Sequence, residues 1–446
     1  MADTVVAARK SNKQGFDPTK EHYSTGFPPV KAMNTSFSFT PAETERLRAL
    51  AKKVAEIAAL PKQKTNRELW RKHNDLETGQ PLVFVDPESG WNECITSDDL
   101  SCIDPMARTW EMFLLKQIYW NDVIKDDKVI EDVFEVPYSY SDTGWGLDIE
   151  KEGGDNRGAY HIVKSLIDYE TDFPKLHYPE ITIDEEESAR VLELAGDVFD
   201  GVLRVIRRPI WWWSFGMTVD FIMFRGLEDF LCDMIAEPEY FHKTMDLICS
   251  GIMKKLDFLE ESGLLALNTG ARYVGSGGFG FTKELPDPDD PPEKVRTKDM
   301  WGFVESQETS CVSPAMYGEF VLPYHKRVAE RFGLNCYGCC ESVTSRWEYV
   351  RQIPRLRRVS FSPWADWERI QDTVSNRYIA SIKVPPMSLA WPNMDESLVR
   401  SQLRKALDHS RGCVPELVIN SAESLGGNPG NVARWVELAR EEIANT

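Results

Sequence analysis

Apolar residues along the 446-residue chain alternate between helical spacing and short unbroken runs. Residues 1 to about 39 are polar, carry scattered Ser, Thr and Pro, and show no period, which predicts a tail or an arm. Thr40-Pro41-Ala42-Glu43 then supplies an N-cap, a proline at the first helical position and an acid at the third, opening a helix that runs to about Leu60. A second helix around Asn66 to Asn74 leads into Leu82-Val83-Phe84-Val85, which reads as a strand. Amphipathic spacing predicts a long helix from Glu185 to Ile206 and another over most of Pro238 to Gly263. Asp287 to Pro292 is a proline-broken surface loop.

Beyond that loop the alternation becomes regular. Strands are predicted at Trp301 to Val304, Asn335 to Gly338, Arg358 to Ser362, Tyr378 to Ile382 and Glu416 to Asn420. Helices are predicted at Pro314 to Phe332, Ser345 to Ile353, Asp366 to Val374, Glu396 to His409 and Asn428 to Ala444. Short strands between longer helices are the pattern of parallel βα units. Polar and Gly-rich segments recur just after the strands, where the loops of a barrel converge on one face. The expected fold is therefore α/β, a (β/α)8 TIM barrel with an N-terminal helical or extended extension. Its expected boundaries are an arm over 1–39, a helical extension over 40–120 and the barrel over 121–446.

Composition narrows the function. With 52 Lys and Arg against 71 Asp and Glu, the net charge of −19 repels phosphate backbones and anionic membranes, so nucleic acid is not an expected partner. No apolar run approaches the roughly 20 residues of a membrane-spanning helix, and the first residues lack the apolar stretch of a secretory signal, so the cytoplasm is expected. Nine cysteines thinly spread over the chain point to reduced thiols rather than a disulfide framework.

The densest chemistry is Cys336-Tyr337-Gly338-Cys339-Cys340-Glu341 at a strand end. Adjacent thiols and a carboxylate suit Zn²⁺, although neighbouring cysteines ligate one ion with difficulty and two inert buried thiols in a turn explain the motif equally well. Glu305-Ser306-Gln307-Glu308 also follows a strand, with Glu305 the better candidate for a general acid and Gln307 a substrate contact; Glu308 at a helix entrance suits a dipole role. Trp364 is placed to stack on a substrate, Asp366 to cap the next helix, and Lys383 to bind a carboxylate or to stand solvated at a strand end. His161 is a weak substrate-site candidate, and His325 beside Lys326 and Arg327 reads as part of a solvated helix face. Gly275-Ser276-Gly277-Gly278 reads as a mobile loop before it reads as an anion cradle, and Trp211-Trp212-Trp213 as core before substrate platform.

SPAMYGEFVLPYHKRVAERFG, the Cys-rich strand end and NPGNVARWVELAREE resemble the uroporphyrinogen decarboxylase superfamily, which includes zinc-dependent corrinoid and coenzyme M methyltransferases. The resemblance covers roughly residues 195 to 446, and YGCCE, SPWAD and WRKHNDL resemble a broad branch of it. It implies zinc held by His-x-Cys at this strand end and a Cys in the last loop. Here Gly338 stands in place of the His, Cys340 matches the Cys, and Asn420-Ser421-Ala422-Glu423 replaces the last Gly-Cys-Gly. The implied metal set is thus Cys340 and Glu423, completed by Cys339 or Glu341, with Glu305 and Tyr337 as catalytic groups. The decarboxylase's Met-Arg-Gln-Ala-Gly-Arg motif is absent. Asp408-His409-Ser410-Arg411-Gly412 also misses the cobalamin-binding spacing, so any corrinoid is expected on a partner protein.

What the resemblance implies is a zinc-dependent methyltransferase or demethylase acting on a small methylated molecule, with a homodimer as the assembly. A lyase or decarboxylase acting on a small carboxylate, and a non-catalytic barrel subunit, are the alternatives.

Overall fold

A computed structural model describes residues 38–77, 79–153 and 160–446; nearly all of the expected arm lies outside them. Six parallel strands form one sheet. They are β1 (Leu82–Val85), β4 (Trp301–Val304), β5 (Leu334–Tyr337), β6 (Leu356–Phe361), β7 (Ile379–Lys383) and β8 (Val414–Ile419), ordered β1-β8-β7-β6-β5-β4. Of the strands between, β2 (Val133–Pro137) and β3 (Arg204–Arg208) form a separate parallel pair, and the others form short antiparallel pairs. The first strand beside the last, with sequence neighbours adjacent elsewhere, is the order of a barrel-like α/β fold. Among the described residues, strand pairing is interrupted between β1 and β2 and between β3 and β4, so a continuous closed barrel is not seen.

At both interruptions side chains take the place of a neighbouring strand. On β1, Val83 N–H donates to Asp127 Oδ2 at 2.8 Å and Val85 N–H to Asp126 Oδ2 at 2.9 Å, while Trp120 Nε1–H donates to Val85 O at 2.9 Å. On β4, the Asn268 side-chain amide both accepts from Trp301 N–H and donates to Trp301 O, each at 2.9 Å. Phe215 N–H donates to Phe303 O at 2.9 Å. Sheet edges with open N–H and C=O groups invite pairing with other chains, and these contacts remove that liability.

Strand alternation sorts side chains onto two faces. Val83, Val85, Val304, Tyr337, Val359, Phe361, Ala380, Ile382, Leu417 and Ile419 share one large core with the surrounding helices. That core also takes in α1 (Pro41–Ala58) and α3 (Pro105–Tyr119), so the N-terminal helices and the sheet are built on common packing. Thr40 caps α1 in the expected capping box with Glu43.

The opposite, inner face carries Trp301, Phe303, Cys336, Ile379, Val414, Phe84 and Val418. It is covered by Tyr273–Phe281 and by the end of α2 (Pro61–Asn74), whose Asn74 Nδ2 donates to Phe279 O and Phe281 O. The glycine segment is buried, not the expected mobile surface loop. A Cβ at Gly275 would lie 2.8 Å from Cys336 Cβ, at Gly277 3.0 Å from Lys383 Nζ, and at Gly278 2.4 Å from the Arg358 guanidinium carbon. Only glycines let this backbone lie so close to the sheet.

Several predicted helices are shorter than expected, two of them for reasons legible in the sequence. The first ends at Phe199, because the chain turns at Asp200 to Leu203 and Arg204 to Arg208, with β-branched Val205 and Ile206, pairs with β2 as an extended strand. The second breaks into Pro314–Phe320 and Leu322–Ala329, because Pro323 lacks the N–H that would continue the helix. No helix among the described residues is long and apolar enough to cross a membrane.

Asn268→Leu keeps the side-chain volume but leaves the N–H and C=O of Trp301 unpaired at a buried edge. It is expected to lower unfolding free energy by about 2–6 kcal/mol, from about 1–3 for each of the two orphaned groups, in denaturant melts; a loss below about 0.5 kcal/mol would show that the edge is satisfied in another way.

Candidate functional site

The loops following β4 and β5 are tied together by one buried side chain. Glu341 Oε1 accepts Ser306 N–H and Glu341 Oε2 accepts Cys339 N–H, each at 2.9 Å. Arg346 braces the same turn by donating to Ser306 Oγ, Thr309 Oγ1 and Thr309 O, and its guanidinium lies over the Tyr317 ring. These contacts hold Glu305 and the vicinal cysteines at the same end of the sheet.

Glu305 is fully buried, accepting from Ser214 Oγ at 3.0 Å and Gln307 N–H at 3.1 Å. Burial, then the charges of Glu308 and Glu341, raise its pKa well above the usual carboxylate range. Glu308, accepting from Thr218 Oγ1 at 2.7 Å, is pushed up to about 7, chiefly by burial. Glu88, after β1, is likewise raised to about 7 by burial and by Asp86. A carboxyl that keeps its proton near neutrality is equipped to act as a general acid.

Cys339 is buried and Cys340 exposed, with their sulfurs 3.6 Å apart and Ser276 Oγ 3.5 Å from Cys339 Sγ. The hydrogen bond between the thiols raises Cys339 and lowers Cys340. Gly338 has φ +94°, and a Cβ there would also crowd Ser360 O at 3.2 Å. A side chain at this position would be strained.

Lys383 ends β7 on the inner face, 5% exposed, and its ammonium has no hydrogen-bond partner among the described residues. Burial lowers its pKa, opposed by the charges of Cys339, Glu416, Cys340 and Glu88. Below it Arg358 and Glu416 form a buried ion pair at 3.1 Å, with Arg358 Nη2 also donating to Asn74 Oδ1. The hydroxyls of Ser360, Ser362 and Ser381 are likewise buried without partners. Sequence reading passed over these serines, although their alternation with Phe361 and Ile382 places them on the face opposite the helices.

Other expected site residues lie elsewhere. Tyr337 is on the helix-covered face, its ring 6.2 Å from Tyr317 and 6.1 Å from His325, because its strand position alternates with inward Cys336. It is a packing residue, although its hydroxyl comes within 3.5 Å of Ser306 Oγ. His325 is fully buried rather than solvated, its pKa pushed down to about 3 by burial and Arg346. His161 is exposed on a hairpin strand opposite Glu152, and Trp364 is 78% exposed. Gln307 contributes its backbone N–H to Glu305. Asp366 caps the following turn, accepting Glu368 N–H at 3.2 Å.

The expected metal donors do not converge. Glu341 spends one oxygen on each of two backbone N–H groups, and Glu423 accepts from Ser89 Oγ at 2.6 Å. No group of three or more His, Cys, Asp or Glu among the described residues is arranged to hold a metal ion.

No protein-family model and no curated protein matches the sequence. Among solved structures, a methyltransferase from Methanosarcina mazei is similar, with 9% identity over 67% of this chain and 77% of that one, at a TM-score of 0.40.

The pKa of Glu308 gives a stability prediction. Folding raises it from 4.5 to about 7, so the stability it contributes is fully present below about pH 4.5 and is lost as pH rises through about 7. Glu305, Glu341 and Asp220 face it with like charge, and Thr218 donates to it. Glu308→Gln imitates the protonated form, so its melting temperature should exceed that of the parent by a margin that widens from about pH 5 to about pH 8. A margin independent of pH would contradict the raised pKa.

Proposed function

We propose that the protein is an enzyme that transfers or removes a methyl group of a small molecule, with Glu305 as the general acid. The observation that carries this reading is a buried, proton-retaining carboxyl beside a vicinal thiol pair and an unpartnered Lys383 at one end of a parallel sheet. The likeness of the 195–446 region to a superfamily containing methyltransferases supports the choice of group transferred.

In such a transfer the methyl carbon bonds to the acceptor while its bond to the substrate heteroatom breaks. The electron pair stays on the heteroatom. Glu305 gives its proton to that atom as charge develops, and the surrounding hydrogen bonds from Ser214 and Gln307 hold the resulting carboxylate. Cys340 presents a soft, exposed sulfur beside the path of the methyl group. A zinc ion would find two thiols here and no converging third donor, so the proposal routes no step through a metal. A corrinoid carried by a partner protein is the proposed acceptor, and cob(I)alamin is its assay surrogate.

A second reading, a lyase that decarboxylates a small acid, is favoured by Lys383, whose ammonium is placed to hold a carboxylate. The two readings differ in product. Purified full chain should convert cob(I)alamin to methylcobalamin, read by its visible spectrum, when given methylated ether, thioether and amine acids. Glu305→Gln should lower that rate by about 10²–10⁴-fold. An unchanged rate would remove Glu305 from the chemistry, and release of carbon dioxide without methylcobalamin would select the lyase.

A further inference from the structure

The inner face above the Arg358–Glu416 pair contains four polar groups that the fold leaves without a partner. The register pairs Ser360 with Ser381 across β6 and β7 and Ser381 with Glu416 across β7 and β8; Lys383 stands beside Val418 one step further up. The hydroxyls of Ser360, Ser362 and Ser381 and the ammonium of Lys383 are 5% exposed or less and have no hydrogen-bond partner among the described residues. Buried polar groups are almost always satisfied, and four orphans on two adjacent strands need a common explanation. A buried ammonium without a partner is costly, so the fold keeps this one only if something else completes it.

We infer that Lys383, Ser360, Ser362 and Ser381 form an anchor for a carboxylate group of the substrate. A carboxylate is acceptor-only, with about four lone-pair sites, and matches three hydroxyl donors and an ammonium. The charge balance selects a monoanion. Arg358 is already paired with Glu416, whereas Lys383 forms no ion pair among the described residues, and Glu88 nearby would oppose a second negative charge. A phosphate dianion would therefore be held less well. Gly277 lies against Lys383 Nζ, and Gly338 leaves Ser360 without a side chain above it. Neither glycine brings a side chain against these donors.

This inference rests on the reading of this end of the sheet as the active site, and it holds for methyl transfer and decarboxylation alike. The test is calorimetric or ligand-observed NMR titration of the full chain with acetate, with neutral acetamide and with inorganic phosphate. Acetate should bind saturably, phosphate more weakly, and acetamide not at all. Lys383→Met should weaken acetate by at least about tenfold, as expected for loss of a charged hydrogen-bond partner. It should melt no lower than the parent, because it removes an unpaired buried charge. The double variant Ser360→Ala, Ser381→Ala should weaken acetate with Lys383 intact, which keeps the inference testable if the methionine variant fails to fold. Equal binding of acetate by parent and variants, equal binding of acetamide, or tighter binding of phosphate would each overturn it. Acetate binding lost in Lys383→Met, with no methyl transfer from any donor, would refute the proposed function and leave the anchor standing.

Discussion

The site depends on one buried carboxyl group. Glu341 divides its two oxygens between the backbone of Ser306 and that of Cys339, and so fixes the distance between two loops that strand pairing alone leaves free beyond Val304 and Tyr337. Glu305 lies one residue before the first contact, and the cysteine pair begins at the second. Both contacts are buried hydrogen bonds, and leaving such an N–H without one costs about 1–3 kcal/mol. Arg346, stacked on Tyr317 and bonded around Thr309, keeps the turn from shifting away from the carboxyl.

Around that tie the inner face divides into satisfied and unsatisfied halves. Lower down, Arg358 meets Glu416 and Asn74, and aromatic rings from Trp301 and Phe279 close over the floor. Higher up, Lys383 and three serine hydroxyls lack partners, while Glu305 keeps a proton because burial and two neighbouring acids make its charged form expensive. A protein optimised for stability alone would fill that half with apolar side chains. The proposed carboxylate site gives a reason for keeping an acid, an ammonium and thiols there.

Much of the architecture was legible because period two and period 3.6 are strong signals in the last third of the chain. The strands from Trp301 onward, the capping box at Thr40 and the Asp366 cap follow from local sequence. Strand β2 and the end of the helix at Phe199 were missed, because Val202 to Ile206 satisfies either period and only pairing with Val133–Pro137 decides between them. In the candidate site, Glu305 and Lys383 stand at or just after strand ends as expected, whereas Tyr337 alternates onto the helix-covered face. The serines carried no signal of their own, since a hydroxyl in a strand reads the same whether it is bonded or orphaned. Glu423 and His161 were chosen for their chemistry, and Ser89 and the exposed hairpin show that chemistry without placement is insufficient.

The central claim is that one end of the sheet binds a small carboxylate between β6, β7 and the Glu305 loop. A crystal of the full chain soaked in 4-bromobenzoate locates both ends of such a ligand, since the bromine is visible by its anomalous signal. The account predicts the carboxylate on Lys383 and Ser381, with the bromine directed toward Glu305 and Cys340. Binding instead in the surface cleft lined by His177, Tyr178, Lys254 and Phe258, with Lys383 left unpartnered, would contradict it.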